Sequence, residues 1–252
     1  MLDIVTLLWM AIAVLTLAIL LVSRVAQPYG RHAPATGRWG PTMDNRLGWI
    51  VQEAPSALCL SYFFFHGSLQ KTAASYLFLG LFVLHYLNRT VIFPLRTRTT
   101  GKRIPVAVVA MAAGFNLVNG TLNGVWLGSV GGDYGAWYFA TPRFAVGLAL
   151  FLGGALINNW ADTALIGLRR PGETSYRVPQ GGLFRLVSCP NHLGEIIEWV
   201  GFAVLVGSLQ AWSFALWTCC NLVPRALDHH RWYRKRFADY PQERRALIPF
   251  VL

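Results

Sequence analysis

Six stretches of the chain carry no charged residue: Ile4 to Ser23, Ala54 to Gln70, Thr72 to Asn88, Ile104 to Gly132, Phe144 to Ala161 and Trp199 to Pro224. Apolar runs of this length suit helices that cross a bilayer core. The pattern predicts an all-α integral membrane protein with seven transmembrane helices, near 3–22, 47–66, 72–93, 104–128, 143–166, 190–207 and 210–232. No basic region precedes the first run, and it is long enough to span. It therefore reads as a retained helix and not as a cleavable leader.

Composition agrees with that pattern. The 252 residues are 54% hydrophobic and 13% charged, against about 25% charged in soluble domains. The net charge of +11 invites a nucleic-acid reading, but its distribution argues for a membrane. With seven spans, Lys71 and Arg143 fall on one side. The other 20 of the 22 Lys and Arg fall opposite, among them Arg24, Arg31, Arg38, Arg46, Arg96, Arg98, Lys102, Arg103, Arg185 and Arg225. The basic side is read as cytoplasmic, which puts the N-terminus outside and the C-terminus inside. Arg185 and Arg225 then share a side, so the chain crosses twice between them, turning at Ser208-Leu209-Gln210. Four cysteines without paired spacing, and the lack of any His-Glu-x-x-His, give no disulfide or metal framework.

Polar residues inside the spans carry the candidate chemistry. Glu53 follows Gln52 just inside the second span, where a carboxyl must be protonated or hydrogen-bonded. A structural bond to a neighbouring helix and a functional role both fit it. Pro55 is expected to loosen that helix. In the third span, Tyr86 is either an interfacial aromatic or, paired with Glu53, a proton donor. His85 points away from that face and reads as packing. Asn116, Asn119 and Asn123, with Gly114, Gly120 and Gly124, read as helix packing. Asn158 and Asp162 share a helix face, and Asp162 calls for a cationic or hydroxyl partner.

The basic loops are read in two ways. Arg24, Arg31, Arg38 and Arg46 form either a tether or a phosphate clamp. Arg169, Arg170, Tyr176 and Arg177, among glycine and proline breaks, resemble a phosphate cradle by chemistry, although a plain basic loop also fits. Positive-side bias alone explains Arg96 to Arg103. In Cys-Pro-Asn-His-Leu-Gly-Glu-Ile-Ile-Glu-Trp (189–199), Glu195 and Glu198 share one face, with Asn191 and His192 ahead of them. Arg225, His229 and Tyr233 form one helical stripe, better suited to a nucleotide wall than to a metal. Arg231 to Leu252 reads as a basic, aromatic, interfacial tail.

The order of these motifs resembles the steroid 5α-reductase family from Gln52 onward. The resemblance rests on Gln52-Glu53, His85-Tyr86 with Arg89-Thr90, Arg-Pro-Gly-Glu (170–173) and Ser-Tyr-Arg-Val-Pro-Gln-Gly-Gly-Leu-Phe (175–184). It continues through Leu-Gly-Glu-Ile-Ile-Glu-Trp (193–199), His-His-Arg-Trp-Tyr (229–233), Asp-Tyr-Pro (239–241) and Arg-Arg-Ala-Leu-Ile-Pro-Phe (244–250). It implies an NADPH-dependent membrane reductase that saturates the C4–C5 double bond of 3-oxo-Δ4-steroids. Glu53 and Tyr86 would be catalytic, in a substrate pocket with Trp49, Gln52 and Phe115. Asn158, Asp162, Arg169, Tyr176, Arg177, Asn191, Arg225, His229 and Tyr233 would bind NADPH. Glu195 and Glu198 would support that set by holding its arginines and amides. Residues 1–128 would mainly form the steroid pocket and 129–252 the cofactor site. The steroid would enter from lipid, and neither nucleic acid nor an obligate protein partner is implied.

Three rival functions remain in the residues. One is a membrane methyltransferase of the isoprenylcysteine or phospholipid type, which would bind S-adenosylmethionine. Another is a reductase of enoyl lipids or sterols. The third is a transporter, against which stands the concentration of polar groups on one side.

Overall fold

The computed structural model describes residues 1–23, 39–98, 101–169 and 175–252. Helix α1 covers Leu2–Ser23 and α2 Asn45–His66. Helix α3, Ala73–Leu87, runs through a wider π turn, Asn88–Ile92, into the one-turn α4, Phe93–Arg96. Then come α5, Val106–Val125, α6, Pro142–Gly167, α7, Pro190–Val206, and α8, Leu209–Arg236. The helices match the uncharged blocks closely. Four of them are long and apolar enough to cross a membrane: Leu2–Ser23, Ala73–Arg96, Val106–Val130 and Pro142–Gly167.

Two elements depart from the all-α expectation. Strand β1, Thr42–Asp44, pairs antiparallel with β2, Arg103–Pro105. The helix expected from residue 104 therefore starts at Val106, where Pro105 supplies the extended backbone before the first turn. Helix α2 also runs unbroken through Pro55, so the expected loosening does not end it. Its start is fixed by Asp44, whose carboxylate accepts from the Arg46 and Leu47 amides.

Glycines set the register between helices. Gly120 and Gly124 of α5 press against the α2 backbone at Ser56 and Leu60, so these two helices run parallel. Gly154 of α6 lies against Gly194 and Glu198 of α7, and Gly147 against Gly201 and Leu205, in antiparallel fashion. A Cβ at Gly120 or Gly154 would strike the neighbouring backbone. Helix α1 lies along α8: Gln210 donates to Asp3 Oδ1 (2.9 Å) and the Trp217 indole to the Trp9 carbonyl (3.0 Å). Between the helices lies an aromatic core built on Phe78, Phe82, Tyr86, Trp199, Phe202 and Phe214. At its far end, Tyr134 donates to the Val206 carbonyl (2.6 Å), and burial pushes this phenol above its ordinary range, keeping it a donor.

The chain end, read as an interfacial tail, is docked on the body of the protein. Ser188 and Cys189 amides donate to the Arg245 and Ala246 carbonyls (2.8 and 3.1 Å). Arg244 is only 2% exposed and lies over the Tyr240 ring, 4.9 Å from its centroid. Its guanidinium also donates to the Pro179 carbonyl (3.3 Å). The aromatic face and the carbonyl together offset the cost of burying the charge.

Candidate active site

The parallel register of α2 and α5 brings Asn116 level with Gln52 and Glu53. Its Nδ2 donates to the Gln52 carbonyl (2.7 Å) and lies 3.4 Å from Glu53 Oε2. Its Oδ1 accepts from the Tyr86 hydroxyl of α3 (2.9 Å). Glu53 Oε1 accepts from Gln52 Nε2 (3.1 Å). Glu53 and Tyr86 are thus brought together, not by a direct bond but through Asn116. Ser56 and Asn119 stand beside the same phenol. Among the described residues, Gln52 Oε1 is buried without a protein hydrogen-bond partner, and Ser56 Oγ and Asn119 Nδ2 are buried with only the Tyr86 phenol beside them. Such groups are costly unless a ligand or water meets them, and here they cluster at one level of the bundle.

Phe115 and Trp49 lie on two flanks of this centre. Phe115 meets Trp217 of α8 (5.3 Å between centroids) and Trp9 of α1 (6.2 Å). The first helix, which shows no chemistry in its sequence, therefore contributes an aromatic wall. Trp49 meets Phe93 edge-on (5.3 Å). The Arg89 guanidinium sits over both rings, at 4.8 and 4.9 Å.

Arg89 ties this centre to the α6–α7 pair. It lies on the π turn, a distortion that re-aims side chains and recurs at functional sites. It pairs with Asp162 at 3.4 Å, both side chains being nearly buried, which supplies the cationic partner Asp162 calls for. It also lies in the field of Glu195, Glu53 and Glu198. Asn191 Nδ2 donates to Asp162 Oδ1 (3.1 Å), and Asn158 Nδ2 to the Asn191 carbonyl (3.0 Å). Asn158 Nδ2 also lies 3.4 Å from Glu195 Oε2. Asn158, Asp162, Asn191 and Glu195 are therefore one connected network, allowed by the close approach at Gly154 and Gly194.

One reading of this region needs correction. Glu198 does not hold an arginine or an amide: its Oε1 accepts from His85 Nδ1 (2.8 Å). His85 in turn is a packing residue, as read, buried at 9% exposure against the Trp199 ring (4.6 Å), but its bond to Glu198 was not foreseen. Asn116 bonds across helices, to α2 and α3, as the packing reading of these amides expects; what that reading does not supply is that the two partners are the Gln52-Glu53 segment and Tyr86. Gly120 and Gly124 also pack as the small-residue pattern predicts, whereas Gly114 meets no neighbouring helix.

A second polar group gathers where the basic loops meet. Arg169 and Lys102 both sit over the Tyr176 ring, at 4.8 and 5.1 Å, and the Trp232 ring meets its edge (5.1 Å). Lys102 Nζ also approaches the Tyr176 hydroxyl (3.4 Å), which joins the 96–103 loop to this group. Arg98 donates to the Arg169 carbonyl, and Arg96 to Thr163 Oγ1 (2.7 Å). Converging cations repel one another, so they suit an anionic ligand. Arg177 is exposed in the segment just beyond Tyr176.

On α8, Arg225 and His229 are half-buried, and His229 lies against His192 (5.5 Å). Tyr233 is buried and stacks on Tyr240 (5.4 Å), so its ring serves the docked chain end. Arg46 donates to the Thr97 carbonyl (2.7 Å), a bond that ties loops together. Arg24, Arg31, Arg38 and the whole Arg-Pro-Gly-Glu motif (170–173) lie outside the described residues. Among the described residues, no group of three or more His, Cys, Asp or Glu is placed to hold a metal ion.

Comparison with known proteins gives this arrangement a family. The family model described as 3-oxo-5-alpha-steroid 4-dehydrogenase matches residues 102–252. Steroid 5-alpha-reductase DET2 of Gossypium hirsutum is 44% identical over 231 residues, covering 89% of this chain and 88% of the relative. The 3-oxo-5-alpha-steroid 4-dehydrogenase 1 of Bos taurus is 39% identical over 236 residues, 92% of this chain and 90% of the relative. The 3-oxo-5-alpha-steroid 4-dehydrogenase 2 of Homo sapiens is 40% identical over 235 residues, 90% and 89% of the two chains. With a family match over more than half its length and relatives near 40% identity over most of it, the chain belongs to the steroid 5α-reductase family of oxidoreductases, the 3-oxo-5-alpha-steroid 4-dehydrogenases.

Proposed function

We propose that this protein reduces the C4–C5 double bond of 3-oxo-Δ4-steroids with NADPH, and that Glu53 and Tyr86 polarise the steroid C3 carbonyl. The observation that carries the reading is the Glu53–Asn116–Tyr86 centre, with its buried polar atoms awaiting a partner. A ketone oxygen is an acceptor that a phenol and a protonated carboxyl both serve. The aromatic flanks at Phe115, Trp9 and Trp217 suit a flat apolar ligand.

NADPH, when bound, supplies the hydride. The rest follows from the chain's own groups. Hydride arriving at carbon 5 leaves negative charge on the C3 oxygen as an enolate, which returns to the ketone by taking a proton from water at carbon 4. The Tyr86 hydroxyl and Glu53 in its acid form donate to that oxygen, most strongly as the charge develops. Low polarity around Phe82 and Trp199, which pack on Tyr86, strengthens those bonds.

The donor chemistry also fits the cofactor. Arg169 and Lys102 on Tyr176 suit phosphate groups, with Arg177 and Arg225 beside them in sequence or on the adjoining helix. Asn158, Asp162 and Asn191 suit the base, ribose or amide, and His229 and Tyr233 belong to the same wall. Arg89 and Lys102 come from the first half of the chain, so the cofactor site draws on more than residues 129–252.

In this reading all seven long helices cross the membrane, with the N-terminus outside and the C-terminus cytoplasmic. Parallel α2 and α5, antiparallel α6 and α7, and α1 lying parallel to α8 all support that alternation. The steroid enters from lipid and NADPH from the cytoplasm. The test is ligand titration of purified protein in nanodiscs. NADPH binds and S-adenosylmethionine does not, and Arg177→Ala weakens NADPH about tenfold or more while the steroid affinity is kept. S-adenosylmethionine binding in place of NADPH points instead to a methyltransferase, and equal loss of both affinities removes the phosphate role.

A further inference from the structure

We infer that Asn116 is a positioning residue, holding the Tyr86 hydroxyl and the Glu53 carboxyl in register so that both address one substrate carbonyl. The inference rests on the function proposed above and adds to it a residue whose spacing alone reads as helix packing.

The surroundings fix which way the amide faces. The Gln52 carbonyl can only accept, so the Asn116 group 2.7 Å from it is the NH2. Oδ1 then faces Tyr86 at 2.9 Å and must accept, which makes the phenol the donor. The second amide hydrogen remains for Glu53 Oε2, at 3.4 Å. One side chain thus sets the proton direction of Tyr86 and the distance of its oxygen from the Glu53 carboxyl. The two groups come from different helices and share no direct hydrogen bond.

The neighbouring Asn123 of α5 bonds differently. Asn123 Nδ2 donates to the Asn119 carbonyl and approaches Asn119 Oδ1, both on its own helix (3.0 and 3.3 Å). The bonds of Asn116 leave its helix, ending on α2 and α3. Its position is locked as well. The side chain is 3% exposed, and Gly120, one turn later, presses on the Ser56 backbone. The amide therefore cannot withdraw without separating α5 from α2.

The arrangement has a mechanistic consequence. The single Tyr86 proton is directed to Asn116 before substrate arrives, which sets the phenol level with the Glu53 carboxyl; that bond is given up when the proton turns to the ketone. Removing the amide leaves Tyr86 among Ser56 and Asn119, free to settle on other partners. The loss falls on the reaction step more than on steroid affinity, because most of the steroid's binding surface is apolar.

The test measures kcat, KM and NADPH affinity for Asn116→Leu and Asn116→Asp in nanodiscs, per mole of folded enzyme. Asn116→Leu keeps the size and removes the bonds. It is expected to lower kcat about tenfold or more with KM changed less than about threefold and NADPH affinity unchanged. Asn116→Asp keeps a donor to the Gln52 carbonyl only while the introduced carboxyl is protonated, since an ionised carboxylate cannot donate. Its kcat is therefore highest at low pH and falls more steeply than that of the parent enzyme as pH rises. In a Tyr86→Phe background, Asn116→Leu should add less than about twofold, because the group it positions is gone. Parent-like kcat and pH profile in both variants, with only thermal stability lowered, overturns the inference. So does an Asn116→Leu effect that multiplies in full with Tyr86→Phe. Full turnover by Tyr86→Phe alone sinks the functional reading itself, a different result from failure at Asn116.

Discussion

Glu53→Gln or Tyr86→Phe is expected to lower steroid turnover about a hundredfold or more while NADPH still binds, because each removes a donor to the oxygen where charge develops. Glu53→Gln keeps size and polarity. Its amide N–H is a far weaker acid than a carboxyl, so it stabilises the developing oxyanion less. It also presents either N–H or C=O to Asn116 Nδ2, and only the latter is compatible with the contact now made to Glu53 Oε2. Tyr86→Phe removes the phenol and leaves Asn116 Oδ1 without the bond it now accepts. Single-turnover kinetics separate the chemical step from steroid binding. Parent-like single-turnover rates in both variants contradict the assignment.

The second large effect is expected at the Arg89–Asp162 pair. Asp162→Ala removes the ion-pair partner of the nearly buried Arg89 guanidinium, leaving it the field of Glu195, Glu53 and Glu198, and leaves the Asn191 amide without its acceptor. Breaking a buried pair from one side costs about 3–5 kcal/mol, felt here as lost folding stability and lost NADPH retention together. Replacing both members, Arg89→Leu with Asp162→Leu, should recover much of the thermal stability but not the cofactor affinity. Recovery of both means the pair is structural only. Parent-like behaviour of Asp162→Ala means the pair contributes little.

The helices were legible because uncharged blocks leave few other choices. Basic residues between the blocks punctuated the chain, and the predicted limits fall within a few residues of those observed. Strands β1 and β2 were not legible, since three residues are too few to show a period of two. Their pairing also joins segments some 60 residues apart.

The site was legible as residue types and less so as contacts. Glu53, Tyr86, Asn158 and Asp162 stood out because polar groups in apolar helices require partners. Which partner each finds depends on helix register, and the sequence does not state that register. Asn116 reads the same as Asn119 and Asn123 until Gly120 and Gly124 are seen against Ser56 and Leu60. His85 and Glu198 lie 113 residues apart, and no local spacing links them. The one available signal was that both are ionisable in otherwise apolar helices. Arg244 misled for a different reason. A basic, aromatic tail reads as interfacial, but the Tyr240 ring and the Pro179 carbonyl that receive this cation are visible only in the fold. Trp9 was missed because a tryptophan in an apolar helix carries no polar signal of its own.

The most direct test of the central claim is incubation of the purified protein in nanodiscs with a panel of 3-oxo-Δ4-steroids and NADPH carrying deuterium at the transferable position. The account predicts a product saturated at C4–C5, still a 3-ketone, with one deuterium at carbon 5. Deuterium at carbon 3 of a 3-alcohol, or no steroid reduced across the panel while an enoyl lipid or sterol is, would contradict it.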